Sequence, residues 1–238
     1  MQKILIIGAS SGIGRELARL YAAAGNVVGA TGRRQELLES LYREFPRHVH
    51  IAGFDAVAPD AAQHLVRLVE GMGGLDVLIF SAGWGDLADT LDWQIDKPTV
   101  DINVNAFLAA VHFGWDFFIR QGSGHLVTVS SIAGIRGNRH SPAYSAAKAF
   151  QSIFFEGLYI KVRKMKIPLH VTDIRPGYVD TKMSKGPVAF WVAPPDKAAR
   201  QIARAIGKKR RVAYITRRWR LVALLFRWLP GWVYYRIG

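Results

Sequence analysis

Tyr144-x-x-x-Lys148 is a spacing with chemical consequences. On a helix, positions i and i+4 stand one turn apart on the same face, so a phenol and an ammonium would share it. A free tyrosine, with a pKa of roughly 10, is a poor acid or base at neutral pH. A close cation favours the phenolate and brings the group into the range useful for proton transfer. Ser131 stands thirteen positions before Tyr144, on the loop after a predicted strand at 125–130. Taken alone, a helical Tyr–Lys pair also describes an ordinary solvated helix face.

The N-terminus supplies what such a pair would act beside. Residues 3–7, KILII, read as a short buried strand. They run into Gly8-Ala9-Ser10-Ser11-Gly12-Ile13-Gly14 and then an amphipathic helical pattern at 15–24. Strand, glycine-rich turn and helix together point free backbone N–H groups at a pyrophosphate. After the second predicted strand, 27–31, the chain reads Gly32-Arg33-Arg34 with no carboxylate. In such folds an acidic side chain at that point takes the adenosine ribose, whereas arginine accommodates a 2′-phosphate. Arg33 therefore points to NADP(H) in preference to NAD(H), the alternative being a surface arginine at a helix N-terminus, where positive charge is unfavourable.

The spacing G-x-x-x-G-x-G, followed by Ser131, Tyr144 and Lys148 in that order, resembles the short-chain dehydrogenase/reductase family over roughly residues 3–206. The resemblance implies a set of roles. Asp55 would bond the adenine amine. Ser81-Ala82-Gly83 stands where the family usually shows Asn-Asn-Ala-Gly, with Phe80 and Ser81 in place of the asparagines. That departure bears on local rigidity, while the small Ala82 and Gly83 still let a cofactor approach. Asn103 matches the asparagine that anchors a water in the proton relay, with Asn105 the competing choice. Pro176, Gly177, Val179 and Thr181 match the segment that closes over nicotinamide. Ser131 and Tyr144 would hold a carbonyl oxygen and Tyr144 would protonate it. Lys148 would lower the tyrosine pKa and bind the nicotinamide ribose. The implied activity is carbonyl reduction to an alcohol with NADP(H), without a metal, by a homodimer or homotetramer. Some relatives bind dinucleotide only as sensors, which is the alternative of a different class.

Composition agrees. A chain of 238 residues, 50% apolar, can build one domain with a full core, and with no cysteine it has no disulfide framework or thiolate metal site. No signal peptide is visible, so a cytoplasmic location is expected. Predicted helices at 35–45, 60–69, 100–121, 143–164 and 196–206 alternate with strands at 49–54, 75–80, 125–130, 169–174 and 212–216. That order implies an α/β, Rossmann-like, doubly wound parallel sheet with helices on both faces, over residues 1–216. The 181–196 connection is short, and its Phe190 and Trp191 read equally as pocket wall or core packing.

Residues 217–238 form a basic, aromatic-rich extension. Twelve Lys/Arg and no Asp/Glu fall in 197–238, so all but two of the +14 net charges lie there. A helix over 217–229 would put Arg217, Arg220 and Arg227 on one side and Leu221, Val222, Leu225, Phe226 and Leu229 on the other. Such a helix suits an anionic membrane surface, a lid over the site or a subunit contact. It is too rich in Trp and Leu for a nucleic-acid arm.

Overall fold

The computed structural model describes residues 1–181 and 190–237. Part of the connection expected to face substrate, 182–189, therefore lies outside the described residues. Seven strands form one sheet in the order β3-β2-β1-β4-β5-β6-β7. They are β1 (Lys3–Ile7), β2 (Val27–Gly32), β3 (Val49–Gly53), β4 (Val77–Phe80), β5 (Gly124–Val129), β6 (Leu169–Pro176) and β7 (Val212–Ile215). Every pairing is parallel. The crossovers carry α1 (Gly12–Ala23), α2 (Gln35–Glu44), α3 (Ala61–Gly71), α4 (Trp93–Val100), α5 (Phe107–Gln121), α6 (Pro142–Met165) and α7 (Pro195–Gly207).

The run KILII is apolar at successive positions because both faces of its strand are covered. Side chains alternate across a strand. Ile4 and Ile6 accordingly join one core with Leu17 of α1, Leu38 of α2 and Ile202 of α7. Leu5 and Ile7 join the other with Leu68 of α3, Phe107 of α5 and Phe155 of α6. The chain order of β1 and β4, neighbours in the sheet but far apart in sequence, opens a crevice at their carboxyl ends, where this class of sheet binds ligands.

Two expectations are corrected. The helix expected at 100–121 begins at Trp93 and passes through a π-helical turn, Asp101–Ala106, before continuing as α5. Pro98, which lacks an N–H, lies just ahead of that turn. The single helix expected at 217–229 is two, α8 (Trp219–Trp228) and α9 (Gly231–Ile237), separated at Leu229-Pro230. Its division of faces also differs: Phe226 and Leu229 are half-buried, whereas Leu221 and Leu225 point to solvent.

The central strands also bury a histidine. His125 bonds Thr172 Oγ1 through Nε2 at 2.8 Å, and burial lowers its pKa to about 3. Above about pH 6.5 the ring is neutral in folded and unfolded chains alike. Below it the unfolded chain takes up a proton that the folded chain refuses until about 3. Folding stability should therefore fall between pH 6.5 and 5 by up to about 1.4 kcal/mol per pH unit from this ring. Urea titrations of wild type and His125→Gln test this; the same slope in both proteins would reject it.

Candidate active site

Ser131 leaves the end of β5 in an extended conformation and caps a short 3-10 turn, Ile132–Ile135, its hydroxyl accepting from Ala133 N at 3.1 Å. Pro142 starts α6 at the position where a missing N–H costs nothing. Tyr144 thus falls in the first turn of α6, half-buried, with its phenol hydrogen-bonded to Ser131. One turn on, Lys148 is 3% exposed and its Nζ lies 5.6 Å from the Tyr144 ring centroid. The structure brings Ser131, Tyr144 and Lys148 together.

Their electrostatics differ from the expectation. Burial pushes the Tyr144 phenol up to about 12, opposed by the bond to Ser131. Burial also lowers Lys148 to about 7, opposed by the charge of Asp173. The Lys148 cation is itself discouraged by the same low-dielectric surroundings. At neutral pH the phenol keeps its proton, the form a proton donor needs.

Asn103 is fully buried in the π-turn and donates to Trp84 O (2.6 Å) and Thr99 O (2.8 Å). Asn105 faces out and bonds Asp101. Between Asn103 and Lys148, however, stands Gln151, also fully buried. Its Oε1 accepts from Lys148 Nζ at 3.1 Å and its Nε2 donates to Asn103 O at 2.9 Å. The bridge where the resemblance implied a water is a side-chain amide. Lys148 also donates to Val129 O at 3.1 Å. Beneath it Ser130 bonds Asp173, which pairs with Arg175 at 2.6 Å. Gln151 and Asp173 escaped the sequence reading. Gln151 had a signal, lying three positions after Lys148 on the same helix face, whereas nothing local marks Asp173.

The phosphate end is built from the glycine turn. Gly8 and Gly12 have φ of 91° and 58°, and a Cβ on Gly14 would stand 2.1 Å from Gly8 O. Only glycine lets α1 start so close to β1. At the α1 N-cap, Ser11 makes no side-chain capping bond, and no acidic residue occupies the first turn. The N–H groups of the helix start and its dipole therefore suit a phosphate. Thr181 lies against Gly12, where a Cβ would approach its methyl to 3.1 Å. Val179 bridges to Ala193, so the segment that reaches the turn through Thr181 is paired on its other side. Ala82 packs on Gly8, and Phe80, in place of asparagine, is core beneath Phe107. These features form a cradle that fits a dinucleotide.

The arginines rearrange the expected cofactor contacts. Arg33 is largely exposed and pairs with Asp55 at 3.8 Å. Arg34, not singled out beforehand, donates to Ser10 Oγ (2.9 Å) and Ser11 Oγ (2.6 Å) at the glycine turn. Arg15, the other nearby cation, is committed to Leu37 O and Glu44 of α2. Phe190 and Trp191 pack around Trp219 of α8, with ring centroids 5.0 and 6.0 Å away. A cavity of about 120 Å³, lined by Asp86, Leu91, Ile95, Arg139 and His140, instead lies beside the start of α6. Among the described residues no cluster of three or more His, Cys, Asp or Glu is arranged to hold a metal.

Comparison with known proteins agrees with this geometry. The sequence profile described as short chain dehydrogenase matches residues 2–189. An uncharacterized oxidoreductase of Myxococcus xanthus is 37% identical over 186 residues, covering 76% of this chain and 73% of the relative. A Mycobacterium tuberculosis oxidoreductase is 33% identical over 192 residues, covering 77% and 75%. Among solved structures, serine dehydrogenase complexed with NADP+ superposes with a TM-score of 0.80 at 23% identity, covering 89% of this chain and 93% of that one. A 7β-hydroxysteroid dehydrogenase gives 0.81 at 22% identity, covering 96% and 92%. At those identities the likeness concerns fold.

The Gln151 bridge has a measurable consequence. Gln151→Leu removes an acceptor from the Lys148 ammonium and should lower its pKa further; Gln151→Glu adds a negative charge and should raise it. NMR titration of 15N-labelled lysine side chains reads both. Shifts of one sign, or none, would reduce Gln151 to packing.

Proposed function

The chain belongs to the short-chain dehydrogenase family, and from that premise we propose that it is an NADP(H)-dependent oxidoreductase reducing an apolar ketone or aldehyde to its alcohol. The observation that carries this reading is the hydrogen bond between Ser131 and Tyr144 over a buried lysine. Two hydroxyls converge on one point, the arrangement that would polarise and orient a carbonyl oxygen. The cofactor, when bound, supplies the hydride.

The chain's own residues do the rest. Gly8, Gly12, Gly14 and the start of α1 would hold the pyrophosphate, with Ser10, Ser11 and Ile13 shaping the turn. Ala82, Gly83, Pro176, Gly177, Val179 and Thr181 would line the nicotinamide side, and Asp55 the adenine. Ser131 fixes the substrate oxygen and Tyr144 gives it a proton. The phenolate so formed is stabilised by the Lys148 ammonium, whose position Gln151 holds. Asn103 anchors the far end of that bridge through its backbone carbonyl. Tyr144 is recharged by a proton from Lys148, and the neutral amine so left is reprotonated from solvent. Exposed Ile153 and Ile160 on α6 suit a contact in a homodimer or homotetramer.

Tyr144→Phe should keep NADPH binding within about threefold and cut turnover by roughly 10²–10⁴-fold. Turnover near that of wild type, measured by NADPH absorbance against a panel of carbonyls, would sink the assignment.

The choice of NADP(H) rests on Arg34 and Arg33, two cations beside the glycine turn with no acidic residue at the end of β2. A charged hydrogen bond contributes about 1.5–3 kcal/mol. Arg34→Ala should thus weaken NADPH by roughly 10–100-fold and NADH little, with a smaller effect from Arg33→Ala. Calorimetric titration showing equal loss for both dinucleotides would refute it.

A further inference from the structure

The two C-terminal helices have a second apolar face that their own packing does not use. Trp219 (1% exposed) and Ala223 (2%) turn α8 inward. The Trp219 ring lies so close to Gly177 that a Cβ there would stand 2.1 Å from it. Arg136, at the end of the Ser131 turn, donates to Phe226 O at 2.9 Å and to Leu229 O, and Tyr234 donates to Gly137 O at 2.7 Å. The helix pair is therefore hydrogen-bonded to one of the chain segments that flank the candidate site and packed against the other. On the opposite side Leu221, Leu224, Leu225, Trp228, Trp232 and Tyr235 are each 55–80% exposed. A helix whose docking is already complete does not need four outward Leu and Trp.

The charges around that face identify what it meets. Arg217, Arg218, Arg220, Arg227 and Arg236 are exposed on the same two helices and their approach, and among the described residues none is ion-paired. No Asp or Glu follows Asp196 in the sequence. A second copy seated on this face would bring five guanidiniums against five. An anionic surface with an apolar interior complements both features: arginines at the headgroups, leucines in the acyl boundary, and Trp and Tyr at the level between. We propose that α8 and α9 seat the protein on an anionic phospholipid bilayer, from which the adjoining site takes a lipid-borne carbonyl. The substrate half of this inference rests on the reductase reading above; the seat does not.

Flotation of the full-length protein tests the seat without any catalytic readout. With phosphatidylcholine vesicles containing about a third phosphatidylglycerol at low salt the protein should float. It should stay behind with phosphatidylcholine alone, and raising the salt to about 1 M should cut bound protein about tenfold by screening. Leu221→Glu with Leu225→Glu, at positions 68% and 59% exposed, should abolish flotation. That variant should keep its thermal unfolding midpoint and its rate on a short, water-soluble carbonyl. With wild type, anionic vesicles should speed reduction of a long-chain aldehyde severalfold and leave the short substrate unaffected. Protein that remains soluble with anionic vesicles at low salt would overturn the seat. So would self-association in light scattering that the double variant abolishes while wild type does not float, which makes the face a subunit contact. Flotation without NADPH-dependent turnover of any carbonyl would leave the seat standing and overturn the reductase reading.

Discussion

An ammonium group buried in a protein interior survives only where carbonyls, amides or counter-charges replace the water it has lost. Lys148 is such a group, and much of the structure around the candidate site supplies its replacements. Val129 O comes from the end of β5, Gln151 from the next turn of α6, and the charge of Asp173 from β6. Gln151 in turn leans on Asn103, which the π-turn directs inward while Asn105 faces solvent. Two strands, a long helix and an irregular turn are thereby tied to one cation. With these partners the lysine stands near the edge between charged and neutral, which suits a group that hands on a proton.

The opposite end of the crevice solves the converse problem, attracting negative charge without burying positive charge. Glycines bring the helix start up to the strand, and the unpaired N–H groups there supply partial positive charge. Arg34 adds a full charge, held over the turn by two serine hydroxyls and still partly open to solvent. Arg15 and Arg33, similar on paper, have carboxylate partners.

The C-terminal helices connect the site to the protein surface. Trp219 packs where Gly177 has no side chain, and Arg136 reaches from the Ser131 turn to the carbonyls at the end of α8. A segment distant in sequence from Ser131 and Tyr144 is thus in direct contact with the margins of the candidate site.

Sequence alone was enough for the alternation of strands and helices, the glycine turn between β1 and α1, and the grouping of Ser131, Tyr144 and Lys148. Each of these depends on short-range spacing: burial of KILII on both sheet faces, glycines at fixed offsets, and one helical turn between phenol and amine. The π-turn, the different partners of Arg33 and Arg34 and the Gln151 bridge were decided only by tertiary structure. A helix pattern does not reveal where the backbone widens, nor which of two adjacent arginines finds a carboxylate first. The direction of the electrostatics was likewise out of reach. Spacing says that a lysine is near a tyrosine, whereas burial of both, set by tertiary packing, raises the phenol and lowers the amine. The two faces of α8 show the same limit, because amphipathic periodicity records how many apolar residues a helix carries, and only docking determines which of them remain at the surface.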